Sequence, residues 1–379
     1  MKHKFRIIIG MLALAIPLCI NAQNDVQQQV DELKGKIDRM PKISGFVQGM
    51  YQANLDNEGE LLSNTFRMRR VRLSVDGTLF KGVTYKIQGD FARSPMLVDA
   101  YLKYKPCKEF AIQIGQFKTP FTIESPINPV NLEIFDYGEI IQKLGGYSDV
   151  CGVGGLGRDI GVMITGDLFH VKDKDYSVVN YAVGVFNGNG PTTLDNNNRK
   201  DLVGRLEVHP GLKAITLSGS YYYGLYRNTT VEDQIAANGV AVGKTAFPNG
   251  VRNRWAVGAQ YNDGKLVIRG EYISGQTSCK IGGLDEHANG LIFDEILNSN
   301  GFYAQAGYYF QAGEHKIMPV LRYEHFTADQ AIGGGTNWYT AGINYWPLKS
   351  VNFKLDYSLV QQGSGSNSHR IVGILSYKF

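Results

Sequence analysis

The sequence predicts an all-β protein, a transmembrane antiparallel β-barrel of about 16 strands with a helix-bearing third outer loop folded into the lumen. Three observations predict it. Segments of strand length alternate apolar and polar residues from Ser44 to Phe379. The connections between them alternate short and long. After Ile20 no apolar run reaches the ~20 residues that a membrane-spanning helix needs. Composition agrees: 45 Gly, 22 Tyr and 18 Phe stand against 3 Trp, and mean hydropathy is −0.19, which suits strands with one lipid face and one wet face.

The first element is expected to be a signal peptide over 1–22. Lys2, Lys4 and Arg6 supply positive charge, Ile7 to Ile20 is apolar but short, and Ala22 precedes a plausible cleavage point. Leu18 is too bulky for Cys19 to make a lipoprotein site. The chain is therefore expected to be exported, to the outer membrane of a Gram-negative bacterium. Residues 23–43 form a short periplasmic segment. Val26, Val30, Leu33, Ile37 and Met40 make an a/d seam of about two heptads. A helix this short is marginal alone, so a subunit-pairing coiled coil and a frayed leader both remain open.

The barrel domain is expected over 44–379. Strands fall near 44–54, 65–77, 82–93, 97–106, 109–118, 158–168, 177–187, 200–209, 213–225, 251–263, 264–276, 299–312, 314–327, 336–346, 350–361 and 367–379. In the third, Val83, Tyr85, Ile87 and Phe91 alternate with Thr84, Lys86, Gln88 and Asp90. Turns such as Asn262–Asp263–Gly264 and Pro347–Leu348–Lys349 carry the residues that tight turns require. The connections at 55–64, 119–157, 188–199, 226–250, 277–298 and 328–335 are longer. In the last strand Leu375, Tyr377 and Phe379 share one parity, so they should face lipid and serve as a C-terminal signal to the β-barrel assembly machinery.

The longest connection, Thr119 to Gly157, carries a helix signature: Asn128 to cap, Pro129 for the first turn, Gly145 to end it. It is read as a constriction element, with a flap on the outer rim as the alternative. Its acids Glu124, Glu133, Asp136, Glu139 and Asp149 oppose only Lys143. A positive field would have to come from the wall, where Arg70, Arg72, Lys86, Lys103 and Lys105 share parity on neighbouring strands. The same cations could simply pair with Asp76, Asp90, Asp99 and the loop acids. Arg67 and Arg69 have the lipid-face parity, so they belong to the rim or follow a bulge.

Several function classes have no support. The histidines are scattered, the cysteines lack metal-site spacing, and no Ser-His-Asp pattern, Walker loop or dinucleotide fingerprint is found. No enzyme activity, metal or cofactor is expected. A net charge of +4 over 379 residues does not point to nucleic acid. Three cysteines follow the signal, so at least one thiol is unpaired within the chain, and pairing of Cys151 with Cys279 stays open.

The stretches FRMRRVRLSVDGTLFKGVTYKIQGDFA, VDAYLKYKP, IGQFKTPFTIES, GRDIGVMITGDLF and YAVGVFNGNGP, in that order, resemble the phosphate-selective porin O and P family. The resemblance implies a sixteen-stranded homotrimeric outer-membrane porin, embedded in lipid, whose third loop narrows the lumen. It places the arginines of the second strand, Lys118 and Arg158 near the constriction. It implies passive diffusion of small hydrophilic solutes, small ions or phosphate, past a basic wall. The fifth loop, 226–250, offers only Arg227 and Lys244 against Glu232 and Asp233, so a general or cation-tolerant channel, or a structural barrel with a plugged lumen, remains the alternative.

Overall fold

An extended chain in lipid must satisfy every backbone N–H and C=O, and a β-sheet does so only by closing on itself. A computed structural model describes residues 40–56, 58–150, 154–226, 250–279 and 295–379. In it the chain forms β1 (Lys42–Leu55), β2 (Leu61–Phe80), β3 (Val83–Asp90), β4 (Leu97–Tyr104), β5 (Ala111–Lys118), β6 (Arg158–Val171), β7 (Tyr176–Phe186), β8 (Asp201–Val208), β9 (Ile215–Tyr226), β10 (Gly250–Asn262), β11 (Leu266–Cys279), β12 (Glu295–Tyr308), β13 (His315–Thr327), β14 (Thr336–Leu348), β15 (Val351–Gln361) and β16 (Asn367–Lys378). A short piece, Phe310–Ala312, continues β12 and pairs with β13 as β12 does. All neighbours are antiparallel and the sixteen staves form a closed barrel.

Closure is made by β1 against β16, from Phe46 opposite Lys378 to Leu55 opposite His369. It extends one residue further, because Gly45 and Phe379 exchange two backbone hydrogen bonds of 3.0 Å. A Cβ on Gly45 would fall 2.7 Å from the Phe379 ring and 2.4 Å from the Arg72 carbonyl oxygen, so this seam needs a glycine. Leu375, Tyr377 and Phe379 are all about half exposed on the outer face.

The wall follows the expected period of two. On β16, Val372, Ile374 and Ser376 are buried inside while Leu375 and Tyr377 are outside. The second strand departs from expectation. It begins at Leu61, so the first outer loop is shorter than the composition of 55–64 implies. It also carries a bulge: Gln48 faces Arg70 but Gly49 faces Met68, leaving Arg69 as an extra residue. Above the bulge Phe66 and Met68 point outward; below it Leu73 does. The bulge therefore turns Arg69 inward beside Arg70 and puts Arg67, opposite the buried Met50, on the lumen side.

The expected signal peptide, the heptads up to Arg39, Arg227, Glu232, Asp233, Lys244, Cys151 and the Cys279 side chain lie outside the described residues. Cys107 is a free, exposed thiol.

Candidate functional site: the third outer loop and its arginine clasps

The third outer loop joins β5 to β6 and folds into the lumen. Its helix is split. Asn128 caps a single 3-10 turn, Pro129–Asn131, accepting from the Val130 N–H at 3.4 Å. A second helix, Glu139–Leu144, ends at Gly145. The expected caps are thus present, but the chain between them is unwound. The reason is visible in the side chains: Leu132, Ile134 and Tyr137 of this stretch are buried, and its acids reach the wall.

The apolar side of the loop packs on the inner wall. Leu132, Tyr137, Ile140, Ile141 and Leu144 form one cluster with Phe186, Val203, Tyr222, Ala256, Ile273, Tyr303 and Phe326. Those wall residues come from β7 through β13 in order. This apolar cluster seals the loop against that half of the barrel, and the loop also reaches the other side: the Asn344 amide on β14 donates to the Glu133 carbonyl at 2.6 Å, the Lys354 ammonium on β15 donates to the Leu132 carbonyl, and Phe135 packs on Met50 of β1 and Val372 and Ile374 of β16.

The acidic side is clasped by arginines. Glu124 meets Arg322 in a bidentate pair, 2.6 and 3.1 Å, with both side chains wholly buried. Arg322 also donates to Glu324 at 2.9 Å and lies 3.9 Å from the Tyr303 ring centre. Glu324 in turn accepts from the Glu139 N–H, at the start of the second helix. Glu133 takes two bonds of 3.0 Å from Arg269 and one of 2.9 Å from Gln305. Asp149 is paired with Arg254. Asp136 is paired with Arg69 and, at 2.9 Å, with Arg70. Among the described residues Glu139 forms an ion pair only with Lys143, at 3.8 Å. Burial works against charge on Asp136 and Glu133, but the facing guanidiniums prevail and hold both carboxyls below their usual range.

These clasps change the meaning of the loop's acidity. Glu124 and Glu133 do not line a passage: they are buried anchors whose charge is cancelled by wall arginines. Among the acids of the loop, Asp136 and Glu139 keep partial exposure. The arginines 254, 269 and 322 were missed by attention to β2–β4 alone. Their signal was available, since each has inward parity on an alternating strand. Arg269 and Arg322 also fall in one cross-strand row. Gln260, Arg269, Gln305, Arg322, Thr340, Ser358 and Arg370 oppose one another in turn across β10 to β16.

The expected basic residues scatter along this scheme. Arg72 pairs with Asp90 at 3.0 Å and Arg158 with Asp99 at 2.7 Å, all buried. Lys118 is engaged by the loop, donating to the Ile127 carbonyl at 2.9 Å and the Tyr137 hydroxyl at 2.7 Å. Lys105 lies away from the loop at the turn after β4, paired with Asp167 at 3.1 Å. Lys86 and Lys103 face inward in the half of β3 and β4 nearest the short turns and make no ion pair among the described residues. Arg67 and Arg370, on β2 and β16, likewise make none; the Arg370 guanidinium sits 4.5 Å from the ring centre of the loop's Phe135, with Arg69 at 5.5 Å.

A family model described as phosphate-selective porin O and P matches residues 42–371. The chain belongs to this family. As a porin it is a channel of the outer membrane, with short turns toward the periplasm and long loops outside. Its fold is also that of solved porins of distant sequence. An anion-selective porin from Comamonas acidovorans aligns with a TM-score of 0.61 at 13% identity, over 90% of this chain and 99% of that one. The outer membrane channel DcaP of Acinetobacter baumannii gives 0.59 at 13%, over 89% and 97%. Salmonella typhi OmpF gives 0.59 at 14%, over 90% and 98%. No curated protein gives a significant match. Within the porin, the loop and its clasps lie inside the barrel, against its inner wall.

Proposed function

We propose that this porin passes small anions by diffusion along the wall from β14 to β4. The observation that carries the reading is the distribution of uncancelled charge. The loop acids are largely neutralised by their arginines, whereas Arg67, Lys86, Lys103 and Arg370, on β2, β3, β4 and β16, have no ion pair among the described residues, against Asp76 and the buried Asp356. Arg70, Arg72, Arg158 and Lys118 lie close enough to act on one another electrostatically. Such a field concentrates anions within a Debye length, ~8 Å at physiological salt. The family's description and the Comamonas relative support the same sign, and inorganic phosphate is the oxyanion that the description favours. The porin is further read as a homotrimer whose barrels share part of their apolar outer faces.

Reversal potentials in a planar bilayer under a KCl gradient test the proposal. Anion preference is expected, and the double variant Arg67→Ser/Arg370→Ser should reduce it. A cation preference in the unmodified porin would overturn it. Adding phosphate to chloride then separates a phosphate-preferring channel, in which chloride current falls at low phosphate, from a general anion channel.

A further inference from the structure

We infer that the periplasmic rim of the barrel is a docking surface for the headgroups of anionic phospholipids in the periplasmic leaflet. The surface has two layers. On the rim itself, Lys81, Lys108, Lys172, Lys213, Lys265 and Lys349 stand on six of the short turns around the barrel. All six are exposed and none forms an ion pair among the described residues. Just above them the outer face carries exposed rings, among them Phe80, Tyr104, Phe169, Phe310, Tyr377 and Phe379.

The layers are adjacent in sequence, as Phe80–Lys81 shows, so the backbone positions that carry ring and lysine differ in height by about one strand rise, ~3.3 Å. Aromatic residues of this kind sit at the membrane–water boundary. Lysines one step further out must then sit among the headgroups, where a long stem can keep the ammonium wet while its carbons cover apolar surface. The short turns also carry the exposed acids Glu109, Asp173, Asp175 and Glu314, but none of these forms an ion pair with the six lysines among the described residues. Asp167 is taken by Lys105. Asp263 is turned into its own turn, accepting from the backbone N–H groups of Lys265 and Leu266 at 2.8 Å. The opposite rim has no comparable collar among the described residues: its first loop carries Asp56, Glu58 and Glu60. Charge complementarity therefore selects an anionic lipid surface on one side only. This inference rests on the barrel and its orientation, not on what the lumen conducts.

The test uses the full porin in bilayers of phosphatidylcholine containing spin-labelled phosphatidylglycerol or spin-labelled phosphatidylcholine. The lipid population in contact with the barrel is expected to favour phosphatidylglycerol about fivefold or more at low salt, and to lose that preference in molar salt. The variant Lys81→Gln/Lys172→Gln/Lys265→Gln/Lys349→Gln should lose it at any salt, while the corresponding four Lys→Arg changes keep it. Both variants should retain the reversal potential of the unmodified porin, which shows that the barrel is folded. Equal affinity for the two lipids in the unmodified porin, or a preference that survives the Gln variant, overturns the inference. So does a rim that retains peptidoglycan fragments with no lipid preference.

Discussion

Arg322 has no exposed side-chain surface, and each of its hydrogen-bonding partners belongs either to the loop or to the wall that carries the loop. Removing one partner of a buried ion pair costs up to ~3–5 kcal/mol, of which the second carboxylate, Glu324 at 2.9 Å, offsets a part. Glu124→Gln is therefore expected to loosen the loop far more than a surface substitution would. Gly138 supplies a second residue-scale control. A Cβ placed there falls 1.8 Å from Arg322 Nη2 and 2.5 Å from Glu324 Oε2. Gly138→Ala must displace the clasp, at a cost of about 1–3 kcal/mol. The expected outcome for both variants is a barrel that still migrates as a folded band on unheated SDS gels, but with noisy single-channel current. Quiet current at the parental conductance would show that the clasp does not hold the loop.

Two of the carboxylates that fix the loop as an element, Asp136 and Glu133, have their charged form favoured in the fold. Because Asp136 and Glu133 are held below their usual range, they bind fewer protons folded than unfolded. Their contribution to docking is complete above the ordinary carboxylate values of ~4 and is lost as pH falls through and below them. Single-channel conductance should thus be steady from pH 7 to pH 5 and become unstable below about pH 4. Instability that sets in near neutrality would place control elsewhere. The loop also shows what the sequence made legible. Asn128, Pro129 and Gly145 marked its two ends because capping is local chemistry. The break between its helices was not visible, because it depends on Glu133 and Asp136 reaching partners on strands far away in sequence. The strands of the wall were legible almost throughout, since a period of two is written residue by residue. Which lumen cations are free was not: Arg72 and Arg158 look like Lys86 in sequence, and although Asp90 and Asp99 stand out as possible partners, only the fold assigns one to each.

For the whole molecule, closure depends on a seam where the first and last strands meet at full length. Gly45 lies in that seam with no room for a side chain. Gly45→Leu is expected to lower the temperature at which the folded band converts to the unfolded one, with less effect from Gly49→Leu, where a Cβ meets nothing within 4 Å. Equal behaviour of the two would remove the seam argument. The bulge at Arg69 has a consequence of another sort. With Arg69 skipped, Met68 and Arg70 already oppose Gly49 and Gln48 in unbroken succession. Arg69 is in effect a passenger: deleting it should leave every other residue of β2 on the face it now occupies and remove one of the two guanidiniums that grip Asp136. A porin lacking Arg69 is expected to assemble, with its conductance altered and its wall intact. A barrel of this design can gain or shed a pore charge by changing its length by one residue, without re-facing any other residue of the strand.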